Sequence, residues 1–147
     1  MKWITRERPK IDRIACPWLI RKFVDPTAEF LYVSKDIVLK AAKEQDAIPY
    51  DVPGIELTHD GPYCSFDAII KKYNIKDPAV LSLAKIVRAA DTDTLDNAPE
   101  AAGLLAISRG LSANMPDDHD MLKVGMDIYE ALYQRPKILT RRGFPKR

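Results

Sequence analysis

The sequence predicts an α+β fold, with a small three-stranded sheet in the N-terminal half packed against a mainly helical C-terminal half. Short segments rich in aromatic and β-branched residues fall before residue 60, and this composition favours strands. From Cys64 onward the apolar residues recur with a period of about 3.6, which is typical of amphipathic helices. At 147 residues and 46% hydrophobic, the chain is the size of one domain and can bury a core.

Strands are predicted at residues 2–5, 29–33 and 55–59. The first segment is followed by a charged turn, and the second is aromatic and β-branched. In the third segment, the alternation places Ile55, Leu57 and His59 on one face, as in a half-buried strand.

The first helix is predicted to begin at Pro17 and to end at Val24. Proline lacks a backbone N–H and its ring clashes with the carbonyl one turn earlier, so it suits the first turn of a helix better than the interior. This start places Cys16 near the helix N-terminus, where a thiolate with Arg13 close in sequence would have a lowered pKa and a raised reactivity. Ser34 is expected to cap a second helix over residues 35–44.

Four further helices are predicted after residue 63. Their starts are marked by capping residues or proline, at Cys64 or Ser65, Pro78, Asn97 and Pro116. The third of them is expected to stop at Gly110 and the fourth before Pro136, because glycine suits a helix end and proline cannot continue one. The domain is therefore predicted to span residues 1–135, with a basic tail over residues 136–147.

Charge and composition exclude several classes of function. The 23 Lys and Arg barely outnumber the 21 Asp and Glu, which argues against a nucleic-acid-binding protein even though the basic tail alone suits phosphates. No apolar run approaches the roughly 20 residues that cross a bilayer, and the N-terminus is charged too early for a signal peptide. Two cysteines are too few for a disulfide scaffold. The sequence therefore predicts a cytoplasmic protein that does not bind a membrane.

Guanidinium groups are concentrated in the first two predicted elements, at Arg6, Arg8, Arg13 and Arg21. The planar fork of arginine suits oxyanions, and together with the predicted helix start these groups indicate an anion pocket. In the alternative interpretation, Arg21 lies on the solvent face of its helix, and Asp12 pairs with Arg13 to hold a turn.

His59 and Cys64 form a second group of reactive side chains. The turn between them, which contains glycine and proline, can bring the imidazole and the thiol together. Carboxylates that offer a third ligand are Asp91, Asp93, Glu56 and Asp60. A mixture of N, S and O ligands suits zinc or iron. In the alternative interpretation, His59 is a core histidine bonded to backbone, Cys64 is a small buried hydrophobe, and Asp91 belongs to a solvated helix end.

Several separated motifs resemble the chromate resistance protein ChrB domain family. They lie at residues 5–6, 12–23, 30–31, 58–61, 64–66 and 86–92. The positions that match the family pattern are Asp12, Arg13, Trp18, Leu19, Arg21, Phe23, His59, Cys64, Phe66 and Asp91. The resemblance implies a protein that helps bacteria survive chromate, often as a chromate-responsive regulator of an efflux transporter. Many such proteins carry a further N-terminal region, without which a DNA-binding regulatory role is not expected.

The expected function is therefore that of a stress-response protein that senses or handles an oxyanion, such as chromate, or a metal ion. The residues expected to bind the anion are Asp12, Arg13 and Arg21, and those expected to hold a zinc or iron ion are His59, Cys64 and Asp91. Two alternatives stay open. One is a metal-dependent enzyme, hydrolytic or redox, with His59 and Asp12 or Asp91 as acid, base or ligand. The other is a non-catalytic module that forms a homodimer.

Overall fold

The structure is a computed structural model that describes residues 1–141. Its sheet consists of three parallel strands, β1 (Lys2–Arg6), β2 (Glu29–Val33) and β3 (Ala47–Pro49), in the order β2-β1-β3. The central strand β1 pairs with β2 over its whole length and with β3 over three residues. The expected α+β class, with a three-stranded sheet in the N-terminal half, is confirmed.

Helices connect the strands and then form the C-terminal half. They are α1 (Ile11–Phe23), α2 (Val38–Gln45), α3 (Ser65–Lys72), α4 (Pro78–Asp91), α5 (Ala101–Asn114) and α6 (Asp118–Arg141). α1 joins β1 to β2 and α2 joins β2 to β3, which are the crossovers that parallel strands require. α1 and α4 are the central helices of the helical half, because they contact each other and each also contacts α3, α5 and α6. Within the described residues, no helix is both long enough and apolar enough to span a membrane.

The third strand lies at Ala47–Pro49, so the prediction of a strand over residues 55–59 is wrong. The chain turns at Asp51, which has a φ of 55°, and the following residues form bends. The carbonyl of Leu57 accepts the N–H of Asp51 at 2.8 Å within this loop. Leu57 is 3% exposed, so the apolar alternation marks a loop that folds back over the core.

Helix α1 begins at Ile11, so the prediction of a start at Pro17 is also wrong. In the helix interior, Pro17 has no N–H to give to the carbonyl of Arg13 one turn earlier. The hydroxyl of Tyr32 donates to this carbonyl instead, at 3.3 Å. Cys16 is consequently far from a helix start and fully buried, and burial raises the pKa of its thiol well above the ordinary value.

The C-terminal helices start near the expected positions but run further. α5 begins at Ala101, after a short 3-10 turn over Leu95–Asn97, and continues through Gly110 to Asn114. α6 continues through Pro136 to Arg141, so the first half of the expected tail is helical. Residues 142–147 of the expected tail lie outside the described residues.

A close approach of α1 and α6 fixes the position of α1. Gly125 of α6 faces the side chain of Ile14, and a Cβ built on this glycine would overlap Cγ2 of Ile14. Tyr129, one turn further along α6, is buried and donates its hydroxyl to the carbonyl of Ile11 at 3.2 Å. These contacts hold the first turns of α1, where Asp12 and Arg13 lie, against the helical half.

Candidate functional site

A cavity of about 210 Å³ lies where β1 leads into α1. All of its lining residues carry ionisable side chains, namely Arg6, Lys10, Asp12, Arg13, Asp51, His59 and Asp91. Arg6 ends β1, and Asp51 follows β3 by two residues, so the cavity lies at the carboxyl ends of these strands. In sheets of parallel strands, ligands bind at this end.

Asp12 is the buried anchor of the site, with an exposed fraction of 1%. Its carboxylate accepts the backbone N–H groups of Ser65 at 2.7 Å and Phe66 at 3.1 Å. These are the first two residues of α3, and the first N–H groups of a helix have no partner inside the helix. Burial and the nearby charges of Asp91 and Asp51 nevertheless raise the pKa of Asp12 well above its ordinary value.

Three carboxylates converge on one nitrogen of His59. Its Nε2 atom lies 2.8 Å from Oδ2 of Asp91, 3.4 Å from Oδ1 of Asp51 and 3.6 Å from Oδ2 of Asp12. Hydrogen bonding to Asp51 raises the pKa of His59 to about 9, and the charges of Asp91 and Asp12 add to this against the effect of burial. One ring N–H can point at only one of the three carboxylates. Because Asp51 also pairs with Arg6 and Arg13, the excess negative charge is that of Asp12 and Asp91, whose one ion-pair partner within the described residues is His59.

Asp91 ends α4 and supplies the shortest of these contacts. Burial and the charge of Asp51 raise the pKa of Asp91, while the charge of His59 opposes the rise. The acidic end of α4 therefore faces the cavity with one of its carboxylates and is not solvated throughout.

Asp51 is shared between the histidine and the arginines. Burial alone would raise its pKa, but hydrogen bonds from His59 and Ser65 and the charges of Arg13 and Arg6 lower it below the ordinary value. Its Oδ1 accepts the hydroxyl of Ser65 at 2.7 Å. Its Oδ2 lies 3.5 Å from Nη2 of Arg6 and 3.6 Å from Nη1 of Arg13.

The cationic wall of the cavity is incompletely neutralised. Asp51 is the one carboxylate that pairs with Arg6 and Arg13 within the described residues. The Nε atoms of both arginines are buried there without a hydrogen-bond partner. Lys10 is exposed, and its ammonium makes no hydrogen bond or ion pair with the part of the chain that the structure describes. Three cationic side chains thus line the cavity, and, among the described residues, Asp51 is the one carboxylate with which any of them forms an ion pair.

Three other lining residues of the cavity fit a metal ion. Asp12, His59 and Asp91 each offer one ligand atom, and these three atoms all lie within 4.8 Å of one another. Two carboxylate oxygens and one imidazole nitrogen form a donor set that suits zinc or iron. Three protein ligands would also leave coordination positions open to another molecule.

Four of the six expected site residues come together here, namely Asp12, Arg13, His59 and Asp91. Arg21 lies two turns further along α1, at a rise of roughly 12 Å from Arg13. Its guanidinium donates to the carbonyl of Ala28 at 3.1 Å and lies 5.1 Å above the ring of Phe30.

Cys64 also does not line the cavity. It caps α3, and its Sγ atom lies 3.3 Å from Oδ2 of Asp67. Burial and the charges of Asp12 and Asp67 raise the pKa of the Cys64 thiol, so it stays protonated at neutral pH. The site as built is therefore a cluster of carboxylates, imidazole and cationic groups without a thiolate.

Asp51 and Lys10 belong to the cavity but were not predicted from the sequence. A signal for Asp51 exists in its position two residues after β3, since the carboxyl ends of parallel strands meet at one edge. That signal depends on recognising residues 47–49 as a strand. Lys10 precedes α1 directly, but nothing in the sequence distinguishes it from an ordinary surface lysine.

Comparison with known proteins identifies relatives of this domain. A family model described as "ChrB, C-terminal domain" matches residues 3–135. A protein named "Protein ChrB" from Cupriavidus metallidurans is 31% identical over 133 residues, which is 90% of this chain and 40% of that relative. The chain thus spans less than half the length of the relative. No solved structure matches the chain.

Proposed function

Because the chain belongs to the ChrB C-terminal domain family, we propose that its cavity binds a divalent metal ion and, beside it, a small oxyanion, within a chromate-resistance-type stress response. The metal ligands in this proposal are Asp12, His59 and Asp91. The observation that carries it is the convergence of three carboxylates on Nε2 of His59.

The charges around His59 support a metal ion. Carboxylates that crowd one buried space repel each other, and an imidazolium offsets a single negative charge. A divalent ion bound by Asp12, His59 and Asp91 would replace the proton on the ring and offset two charges. Neutral imidazole and ionised carboxylates are the forms that bind metals, so binding would release protons from the site.

The cationic lining residues of the cavity support an anion. Arg6 and Arg13 present planar guanidinium groups, which match the oxygens of tetrahedral oxyanions, and Lys10 adds a mobile ammonium. Several water volumes fit into a cavity of about 210 Å³, which leaves room for such an ion. Metal and anion would attract each other within the cavity.

Thermal unfolding with and without zinc tests the metal part. A ligand that binds only the folded protein raises its Tm by mass action, and we expect zinc to raise the Tm of the unmodified protein. Asp91→Asn and His59→Gln should abolish this rise. Asp93→Asn is the matched control, since Asp93 is exposed, lies two residues from Asp91 and does not line the cavity. A folded, metal-free protein whose Tm does not respond to zinc, iron or manganese would refute the metal site.

Calorimetric titration of the zinc-loaded protein with sulfate and with chromate tests the anion part. We expect binding heat that Arg13→Gln removes and Arg21→Gln leaves unchanged. The second variant is the matched control, because Arg21 makes its contacts at the other end of α1. An equal loss of binding heat in both variants would instead support the wider arginine set expected from the sequence. If neither sulfate nor chromate gave binding heat, the proposal of an anion site would be refuted.

A further inference from the structure

Asp51 contacts both sides of the cavity, and we propose that it couples metal binding to anion binding so that each ligand strengthens the other. This inference rests on the proposed function and adds a mechanism of regulation to it. Asp51 is 6% exposed at its side chain, so its two oxygens face protein groups and the cavity instead of bulk water.

One oxygen of Asp51 belongs to the metal side. Oδ1 lies 3.4 Å from Nε2 of His59 and accepts the hydroxyl of Ser65 at 2.7 Å. Ser65 also donates its backbone N–H to Asp12 at 2.7 Å. A single residue at the start of α3 therefore orients two carboxylates toward the same imidazole.

The other oxygen of Asp51 belongs to the anion side. Oδ2 lies 3.5 Å from a guanidinium nitrogen of Arg6 and 3.6 Å from one of Arg13. Charge-assisted hydrogen bonds of this type are normally about 2.7–2.9 Å long, so neither arginine is bound tightly. Both nonetheless depend on this carboxylate, since they make no other ion pair within the described residues.

The coupling follows from this sharing. A divalent ion at Asp12, His59 and Asp91 draws the negative charge of Asp51 toward itself, and the two arginines lose part of their counter-charge. An anion is then attracted more strongly by both arginines. Conversely, an anion that takes over Arg6 and Arg13 releases Asp51 toward the metal ion. The two effects are equal, because a coupling free energy between two sites acts in both directions.

The decisive variant is Asp51→Asn. Asparagine adopts a positive φ such as the 55° of this position, and its carbonyl can still accept the Ser65 hydroxyl, so the loop is retained. In the unmodified protein, we expect zinc to tighten sulfate binding by roughly five-fold or more, a common size for coupling between sites. In Asp51→Asn, sulfate should bind more tightly than in the unmodified protein when no zinc is present. The further gain on adding zinc should shrink by more than half.

Asp60→Asn is the charge-matched control, since Asp60 is exposed next to His59 and does not line the cavity. It should leave the zinc effect on sulfate unchanged. Arg6→Gln tests the same coupling through the anion-side partner of Asp51. This test remains valid even if the Asp51→Asn variant does not fold. Arg6→Gln should tighten zinc binding measured without sulfate and weaken the effect of sulfate on zinc.

The outcomes separate this inference from the proposed function. If zinc and sulfate both bind but neither changes the affinity for the other, the coupling is refuted while the two sites stand. An unchanged zinc effect in Asp51→Asn, or an equal loss in Asp60→Asn, would also overturn the role of Asp51. If zinc or sulfate does not bind at all, the proposed function itself fails.

Discussion

The carboxylate of Asp12 accepts the backbone N–H of Ser65 at 2.7 Å, which joins the first turn of α1 to the first turn of α3. Asp12→Asn would leave one acceptor oxygen and turn an NH₂ group toward a backbone donor. We expect the free energy of unfolding to fall by about 1–3 kcal/mol, the usual cost of an unsatisfied buried polar group. Urea denaturation of this variant beside the exposed control Asp36→Asn measures the loss. Equal stability of the two variants would contradict the anchoring role.

The contact between the Tyr32 hydroxyl and the Arg13 carbonyl predicts a coupling with Pro17. Tyr32→Phe should cost about 1 kcal/mol, because it removes the donor to a carbonyl that Pro17 cannot serve. In a Pro17→Ala background the loss should be smaller, since alanine restores the helical N–H. A double-mutant cycle in urea measures this coupling. Additive changes would show that the hydroxyl does not replace the missing helical bond.

The close approach of Gly125 to Ile14 predicts opposite effects for two glycine substitutions. Gly125→Ala should destabilise the protein by about 1–3 kcal/mol, because the new methyl group displaces Ile14 and with it α1. Gly110→Ala should stabilise it by about 0.5–1 kcal/mol, since a Cβ there meets no atom within 4 Å and glycine is costly inside a helix. Thermal unfolding of both variants checks the sign of each change in stability. A neutral Gly125→Ala would mean that the helices separate easily.

Asp77 predicts a dependence of stability on pH. It caps α4 by accepting the N–H of Ala79 at 2.8 Å and accepts the Tyr133 hydroxyl at 2.6 Å. Burial raises its pKa, but these hydrogen bonds and the charge of Lys137 outweigh burial and lower the pKa below its ordinary value. The stabilisation is therefore complete above the unfolded value and is lost as the pH falls through the lower folded value.

Comparison of the unmodified protein with Asp77→Asn isolates this contribution. Asparagine also caps helices well, so the variant should keep most of the cap while losing the charge. The difference in unfolding free energy between the two proteins should be constant near neutral pH and shrink below about pH 4. Urea denaturation of both proteins over this pH range measures the difference. If the difference in unfolding free energy stayed constant down to about pH 2, it would contradict a lowered pKa of Asp77.

The local signals in the sequence located most of the helices but not the third strand. Pro78 in the first turn of α4, and Cys64 or Ser65 at the start of α3, are local signals that need no tertiary information. Residues 47–49 show no alternation, and they become a strand because the central strand β1 lies beside them. Pro17 indicated a helix start for sound local reasons, but burial of α1 and the hydroxyl of Tyr32 override them.

In the candidate site too, the sequence predicted some features, while others depend on tertiary packing. Asp12, His59 and Asp91 could be chosen by residue type, yet their meeting depends on how α1, α4 and the loop between β3 and α3 pack around one cavity. Cys64 was expected beside His59 because of the short turn between them. In the structure, Cys64 is instead the N-cap residue of α3, and its thiol donates a hydrogen bond to the carboxylate of Asp67. Spacing along the chain predicted proximity, but it could not predict which side of the turn each side chain occupies.

Because β1 precedes β2 and β3 in the chain yet occupies the middle of the sheet, it emerges from the ribosome before either neighbouring strand. Until β3 has emerged through Pro49, one hydrogen-bonding edge of β1 stays open. Such edges recruit strands from other molecules. Trp3 and Ile4, fully buried in the finished protein, are accessible in the same interval. A pause in translation after β1 has emerged and before β3 has emerged would thus raise the risk of aggregation and the demand for chaperones.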